Sequence, residues 1–125
     1  MDGATSFNQD LNSWNTNMAT TKNMFKDAES FNGNISNWDV SNVNEFNGMF
    51  KGATSFNGDL SSWVLEGQAD DGPGGGELTL NSMFEDSNYN QSLNAWDTSN
   101  VVSMSNMFAN NTTFNQPLDS WDTSN

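Results

Sequence analysis

The chain has 125 residues, 34 % of them hydrophobic and only 15 % charged, with 16 acidic side chains against three lysines and a net charge of −13. It contains neither histidine nor cysteine, which excludes disulfides, thiolate chemistry, His-based triads and most zinc sites. Three cations without an arginine make no phosphate-binding footprint, and no apolar run exceeds three residues, so neither a nucleic-acid partner nor membrane insertion by this segment is expected.

In chain order the sequence repeats itself. The first unit opens at Phe7-Asn8, continues through Leu11 and Trp14, and ends in Met24-Phe25. The second has Phe31-Asn32, Ile35, Trp38 and Met49-Phe50, and the third has Phe56-Asn57, Leu60, Trp63 and Met83-Phe84. The fourth has Tyr89-Asn90, Leu93, Trp96 and Met107-Phe108, and a fifth half-unit has Phe114-Asn115, Leu118 and Trp121. The tryptophans are 24, 25, 33 and 25 residues apart. A shared unit reads F-N-x-x-L-x-x-W-D-T-S-N-V-x-x-M-x-x-M-F-x-x-A-x-S, about 25 residues long. The long third spacing falls in residues 64–80, around Gly-Gln-Ala-Asp-Asp-Gly-Pro-Gly-Gly-Gly, and reads as a surface loop inserted into one unit.

A unit with so few apolar anchors cannot bury a core alone, but stacked units cover one another's hydrophobic faces. Residues 1–125 are therefore expected to form one domain, a repeat solenoid of about four to five rungs with units starting near 7, 31, 56, 89 and 114. Each rung is expected to carry one short parallel strand in L-x-x-W-D-x-S. A short helix or 3₁₀ turn is expected in V-x-x-M-x-x-M-F, where Val101, Met104, Met107 and Phe108, and Val43, Phe46, Met49 and Phe50, are spaced by three and four. Trp14, Trp38, Trp63, Trp96 and Trp121 should lie over one another in the core. Asn8, Asn32, Asn57, Asn90 and Asn115 recur at one place, where stacked amides form a structural ladder or simply favour turns.

Chemistry is sparse. Glu66, Asp70, Asp71 and Glu77 are the only candidates for a Ca²⁺ site, clustered oxygens without the spacing of a calcium-loop motif. Asp39, Asp97 and Asp122 share a rung position, either as turn acceptors or as a column around a shared cation. Thr16, Thr98 and Thr123 recur at another, the beginnings of an ice-binding rank that Val40 interrupts. N-x-S/T sequons start at Asn34, Asn90, Asn110 and Asn111. No convergent catalytic set and no cofactor motif is present, so the chain is not expected to be an enzyme or to hold a cofactor beyond calcium.

The segments Phe56-Asn57-Gly58-Asp59-Leu60-Ser61-Ser62-Trp63, Trp96-Asp97-Thr98-Ser99-Asn100-Val101 and Met49-Phe50-Lys51-Gly52-Ala53-Thr54-Ser55-Phe56 resemble the BspA-like leucine-rich-repeat surface proteins, the roughly 25-residue bacterial surface repeat also found in mycoplasma lipoproteins. The resemblance covers nearly the whole chain outside the third-unit insertion. It implies a leucine-rich-repeat-like solenoid, located extracellularly or on a cell surface. The function it implies is non-enzymatic, in adhesion or in binding other proteins or surface glycans. The alternative is a structural subunit that polymerises end to end into an extracellular filament or coat. The sequence enters at Met1 directly in repeat phase, without a visible signal peptide, and stops mid-unit at Asn125. It is therefore expected to be a piece of a longer array, or a subunit that associates head to tail.

Overall fold

A computed structural model describes residues 2–67 and 76–124. Equivalent residues of successive units lie one above the next, and the aromatic rings mark the step. Phe7, Phe31, Phe56 and Tyr89 form one column with ring centres 5.6–5.8 Å apart. Phe25, Phe50, Phe84 and Phe108 form a second, at 5.5–5.6 Å. The columns lie side by side, because each Met-Phe ring is face to face, at 4.1–4.2 Å, with the ring that opens the next unit. Such stacked pairs contribute roughly 0.5–1.5 kcal/mol beyond the burial of their area. Leu11, Ile35, Leu60 and Leu93, with Trp38, Trp63 and Trp96, complete the buried interior.

Backbone pairing follows the same step. Strand β1 (Leu78–Thr79) runs parallel to strand β2 (Val101–Ser103). Single parallel bridges from Thr20 to Glu45 and from Glu45 to Thr79 carry the line across four units. Beyond the strands the pairing continues through alternate residues. The N–H groups of Thr21, Asn23, Phe25 and Asp27 donate to the carbonyls of Glu45, Asn47, Met49 and Lys51 at 2.7–3.0 Å. Phe46, Gly48, Phe50 and Gly52 donate likewise to Thr79, Asn81, Met83 and Glu85 at 2.8–2.9 Å. Leu80, Ser82, Phe84 and Asp86 repeat the row onto Ser103, Ser105, Met107 and Ala109, also at 2.8–2.9 Å.

This pairing corrects the helix of one local expectation, leaving its alternative of turns bonded three residues apart, and the place of the strands in another. No helix occurs among the described residues, because half of the N–H groups in the V-x-x-M-x-x-M-F region go to the next unit rather than along the chain. The intervening ones make isolated turn bonds, such as Met24 to Thr21, Lys26 to Asn23 and Ala28 to Phe25. Left-handed residues cut each turn off from the next: Asn23 and Asp27, Gly48 and Gly52, Ser82 and Asp86, Asn106 and Asn110. Asn, Asp and Gly tolerate positive φ better than other residues. Gly52 is needed for space as well, since a Cβ there would collide with the Asp27 carboxylate.

The second correction concerns the strands, which do not lie in L-x-x-W-D-x-S. That stretch is a turn in all five units, with the N–H of Trp14, Trp38, Trp63, Trp96 and Trp121 donating to the carbonyl of Leu11, Ile35, Leu60, Leu93 and Leu118. The turn brings the aliphatic and the indole to the same side of the chain. Within the expected insertion of residues 64–80, Leu65, Leu78 and Leu80 are core residues and β1 lies inside it. The excess of about eight residues implied by the tryptophan spacing therefore takes up only part of residues 64–80. Tyr89 takes a phenylalanine place, and its hydroxyl donates to the Gly58 carbonyl at 3.0 Å. Burial pushes that hydroxyl well above the usual tyrosine pKa.

Candidate functional site

Among the described residues no single cleft concentrates reactive groups, and the distinctive features are columns of like residues running up the stack. The most regular is the asparagine column. Each side-chain oxygen accepts the backbone N–H of the equivalent residue one unit on: Asn32 donates to Asn8, Asn57 to Asn32, Asn90 to Asn57 and Asn115 to Asn90, at 2.9–3.0 Å. The donor is the backbone rather than the neighbouring amide, so each side chain keeps its NH₂ for other partners. Replacing Asn57 with alanine removes the acceptor for Asn90. The expected loss of unfolding free energy is about 0.5–1.5 kcal/mol. Asn57→Asp, which keeps an oxygen in place, should lose less, and urea titrations of both variants measure the difference.

The tryptophans make a second connection. The indole Nε1 of Trp38 donates to the Leu11 carbonyl, Trp63 to Ile35, Trp96 to Leu60 and Trp121 to Leu93, at 2.8–3.1 Å. The turn carbonyl of one unit thus holds the indole of the next. Trp14, at the lower end of the column, stacks on Trp38 but is 50 % exposed.

The aspartate side chains are engaged locally, and two of the threonines bond to the next unit. The N–H and hydroxyl of Ser41 donate to Asp39 Oδ1 at 3.1 and 2.6 Å, and Ser124 treats Asp122 Oδ1 alike at 2.9 and 2.6 Å. The Ser99 N–H donates to Asp97 and the Ser61 N–H to Asp59, both at 2.9 Å. The serine hydroxyl first, and its N–H second, hold all four carboxyls below the ordinary aspartate pKa. A lowered folded-state pKa means their contribution is present above the unfolded value and fades as pH falls through the folded one. Thr16 donates to the Asp39 carbonyl and accepts the Asp39 N–H, both at 3.1 Å. Thr98 does the same with Asp122 at 3.2 and 2.9 Å. Thr16 and Thr98 are buried, so these threonines face inward and the ice-binding reading falls.

All three lysines pair with acids of neighbouring units. Lys22 meets Glu45 at 2.9 Å, Lys51 meets Glu85 at 3.0 Å, and Lys26 approaches Asp2 at 4.0 Å besides its neighbour Asp27 at 3.4 Å. The Lys22 contact lowers the Glu45 pKa, and the Ser82 hydroxyl followed by Lys51 lowers that of Glu85. Of the calcium candidates, Asp70 and Asp71 lie outside the described residues. Glu77 borders a shallow groove with Thr20, Asn44, Glu45, Asn47 and Thr79. Among the described residues no three acidic side chains come together in a way that would hold a metal ion. Asn125 also lies outside the described residues.

Two further ladders escape the repeat formula. Asn47 Oδ1 accepts the Asn81 N–H at 2.8 Å, and Asn81 Oδ1 accepts the Ser105 N–H at 2.7 Å. Asn12 accepts the Asn37 N–H at 2.7 Å, and Asn94 that of Ser120 at 3.1 Å. The signal for the first was an asparagine two residues ahead of Met49 and of Met83.

The chain matches, over residues 1–71 and 78–125, the family described as "Mycoplasma protein of unknown function, DUF285". No curated protein and no solved structure matches it.

Proposed function

The chain belongs to this Mycoplasma family, and we propose that it is a non-enzymatic module displayed outside the cell, which binds other proteins or surface glycans along its regular outer face. The architecture proposed with it is a repeat solenoid of the BspA-like, leucine-rich-repeat type. The observation that supports this reading is the asparagine column, exposed at all but the half-buried Asn90, in which five equivalent residues are held one unit apart by their own hydrogen bonds. A fixed, periodic polar face suits a partner that is itself extended or repetitive, because many weak contacts then engage together. The interior supports it too, since the ring columns and indole bonds fill the space between units with structural contacts.

The test is direct binding of the labelled chain to a glycan array and to a panel of purified cell-surface proteins. Saturable binding that unlabelled chain competes away is the expected result. Its absence on both panels would overturn the proposal. Light scattering separates the structural alternative, since a particle mass that climbs with concentration would replace the adhesion reading with end-to-end polymerisation.

A further inference from the structure

Asparagine is followed by glycine three times in the chain, at Asn32-Gly33, Asn47-Gly48 and Asn57-Gly58. Such a pair carries a chemistry of its own. The glycine nitrogen can attack the side-chain amide carbon of the asparagine before it, and a glycine, having no Cβ, puts nothing in the way. The fold treats the three pairs differently. Gly48 is buried, and its N–H is committed to the Asn81 carbonyl at 2.8 Å. The Asn47 amide is held at both ends, with Oδ1 accepting the Asn81 N–H at 2.8 Å and Nδ2 donating to Glu45 Oε1 at 3.1 Å.

Asn32 and Asn57 are exposed, and neither their NH₂ groups nor the N–H groups of Gly33 and Gly58 have a partner among the described residues. Their Oδ1 atoms do have one, the backbone N–H of the next unit, from Asn57 at 3.0 Å and from Asn90 at 2.9 Å. A fixed donor on that oxygen is aimed at the charge that develops there when the amide carbon is attacked. Nucleophile and leaving group are thus free, while the carbonyl between them is polarised. The other members of the column, Asn8, Asn90 and Asn115, precede glutamine, whose side chain crowds the backbone nitrogen. Gly33 is there for space, since a Cβ would collide with the Gln9 carbonyl.

We propose that Asn32 and Asn57 are sites of spontaneous covalent modification, converted by solvent water to aspartate and isoaspartate, and that Asn47 is spared. The Gly58 nitrogen bonds to Asn57 Cγ as the Cγ–Nδ2 bond breaks, and the glycine N–H proton leaves with the amide as ammonia. The product is a cyclic imide. Water then opens the ring at Cγ, which gives aspartate, or at the main-chain carbonyl carbon, which gives isoaspartate. No oxidant or reductant takes part, and Gly33 acts on Asn32 in the same way. Each conversion adds a negative charge to a chain already at −13. The aspartate branch keeps an oxygen in place for the Asn90 N–H. The isoaspartate branch lengthens the main chain by one carbon and shortens the side chain that reaches Asn90, so the junctions on either side of the third unit loosen as the molecule ages. This chemistry rests on the bonds around the two pairs and holds whatever the outer face binds.

The test ages the 125-residue chain in mildly alkaline buffer and reads each site by peptide-map mass spectrometry, with electron-transfer fragmentation to separate the two products. Conversion at Asn32 and Asn57 is expected to run roughly tenfold faster than at Asn47, where attack waits on local opening of the bonds around Gly48. In concentrated urea the three sites should convert at similar rates, because the fold and not the dipeptide sets the difference. Equal rates in the folded chain, or no conversion at Asn32 and Asn57, would overturn the assignment. So would a difference that persists unchanged in urea. Amide exchange at the Asn57 and Asn90 N–H groups should quicken in the isoaspartate fraction, and exchange as slow as in fresh chain would overturn the loosening.

Discussion

Replacing Phe50 with alanine is expected to lower the unfolding free energy by about 3–5 kcal/mol, the range for deleting a buried aromatic ring. The upper part of that range applies here. Phe50 is completely buried and touches three rings: Phe56 at 4.1 Å, Phe84 at 5.5 Å and Phe25 at 5.6 Å. Collapse around the missing ring is opposed by the backbone, because the Phe25 and Phe50 N–H groups pin the units above and below at 2.9 Å. The void therefore stays, and the cost of a cavity adds to the lost transfer energy. Since each unit touches only its neighbours, weakening the middle also uncouples the two halves. A urea transition that becomes both earlier and broader, followed by far-ultraviolet circular dichroism, is the expected outcome. A sharp transition shifted by less than about 1 kcal/mol would show that the ring columns do not carry the stack.

Trp96→Ala is the second large change, again about 3–5 kcal/mol, and its companion Trp96→Phe separates the causes. Trp96 is 2 % exposed and its Nε1 donates to the Leu60 carbonyl at 2.8 Å. That carbonyl also accepts the Trp63 N–H at 3.1 Å, so losing the indole leaves it with one partner rather than none. Phenylalanine should therefore cost about 1–2 kcal/mol, the hydrogen bond together with some lost contact. Trp14→Phe, at a half-exposed ring whose neighbour is Trp38 alone in the column, should change stability by no more than about 0.5 kcal/mol. Denaturant titration of the three variants gives the order directly. An equal loss at Trp14 and Trp96 would contradict the description of the indole column.

Much of this interior is legible in the sequence because it obeys a single spacing. Phe31, Ile35 and Trp38 recur as Phe56, Leu60 and Trp63, and residues at equal phase in stacked units meet. The asparagine positions are legible for the same reason, although their donor is not. A recurring amide does not reveal whether it bonds another amide or the backbone beside it. The local path of the chain is harder to read. Val101, Met104, Met107 and Phe108 have the spacing of a helix face, yet the chain there alternates between turn bonds and bonds to its neighbour. A counter-signal existed in Asn23 and Asp27, Gly48 and Gly52, and Asn106 and Asn110, small or amide-bearing residues four apart that suit left-handed backbone. The roles of Thr16 and Thr98 were not legible, since each hydroxyl serves an aspartate backbone that is 23 or 24 residues away.

The left-handed residues and the one-sided donor rows also bear on how the molecule would respond to tension. A chain pulled from one end loads one junction between units at a time, a row of four backbone bonds reinforced by the indole, asparagine and threonine bonds across the same step. Each row that gives way releases one repeat of about 25 residues, or roughly 80 Å of extended chain, before the next row is loaded. Under load the stack is expected to lengthen in discrete steps, the longest of them from the third unit, whose tryptophans are 33 residues apart.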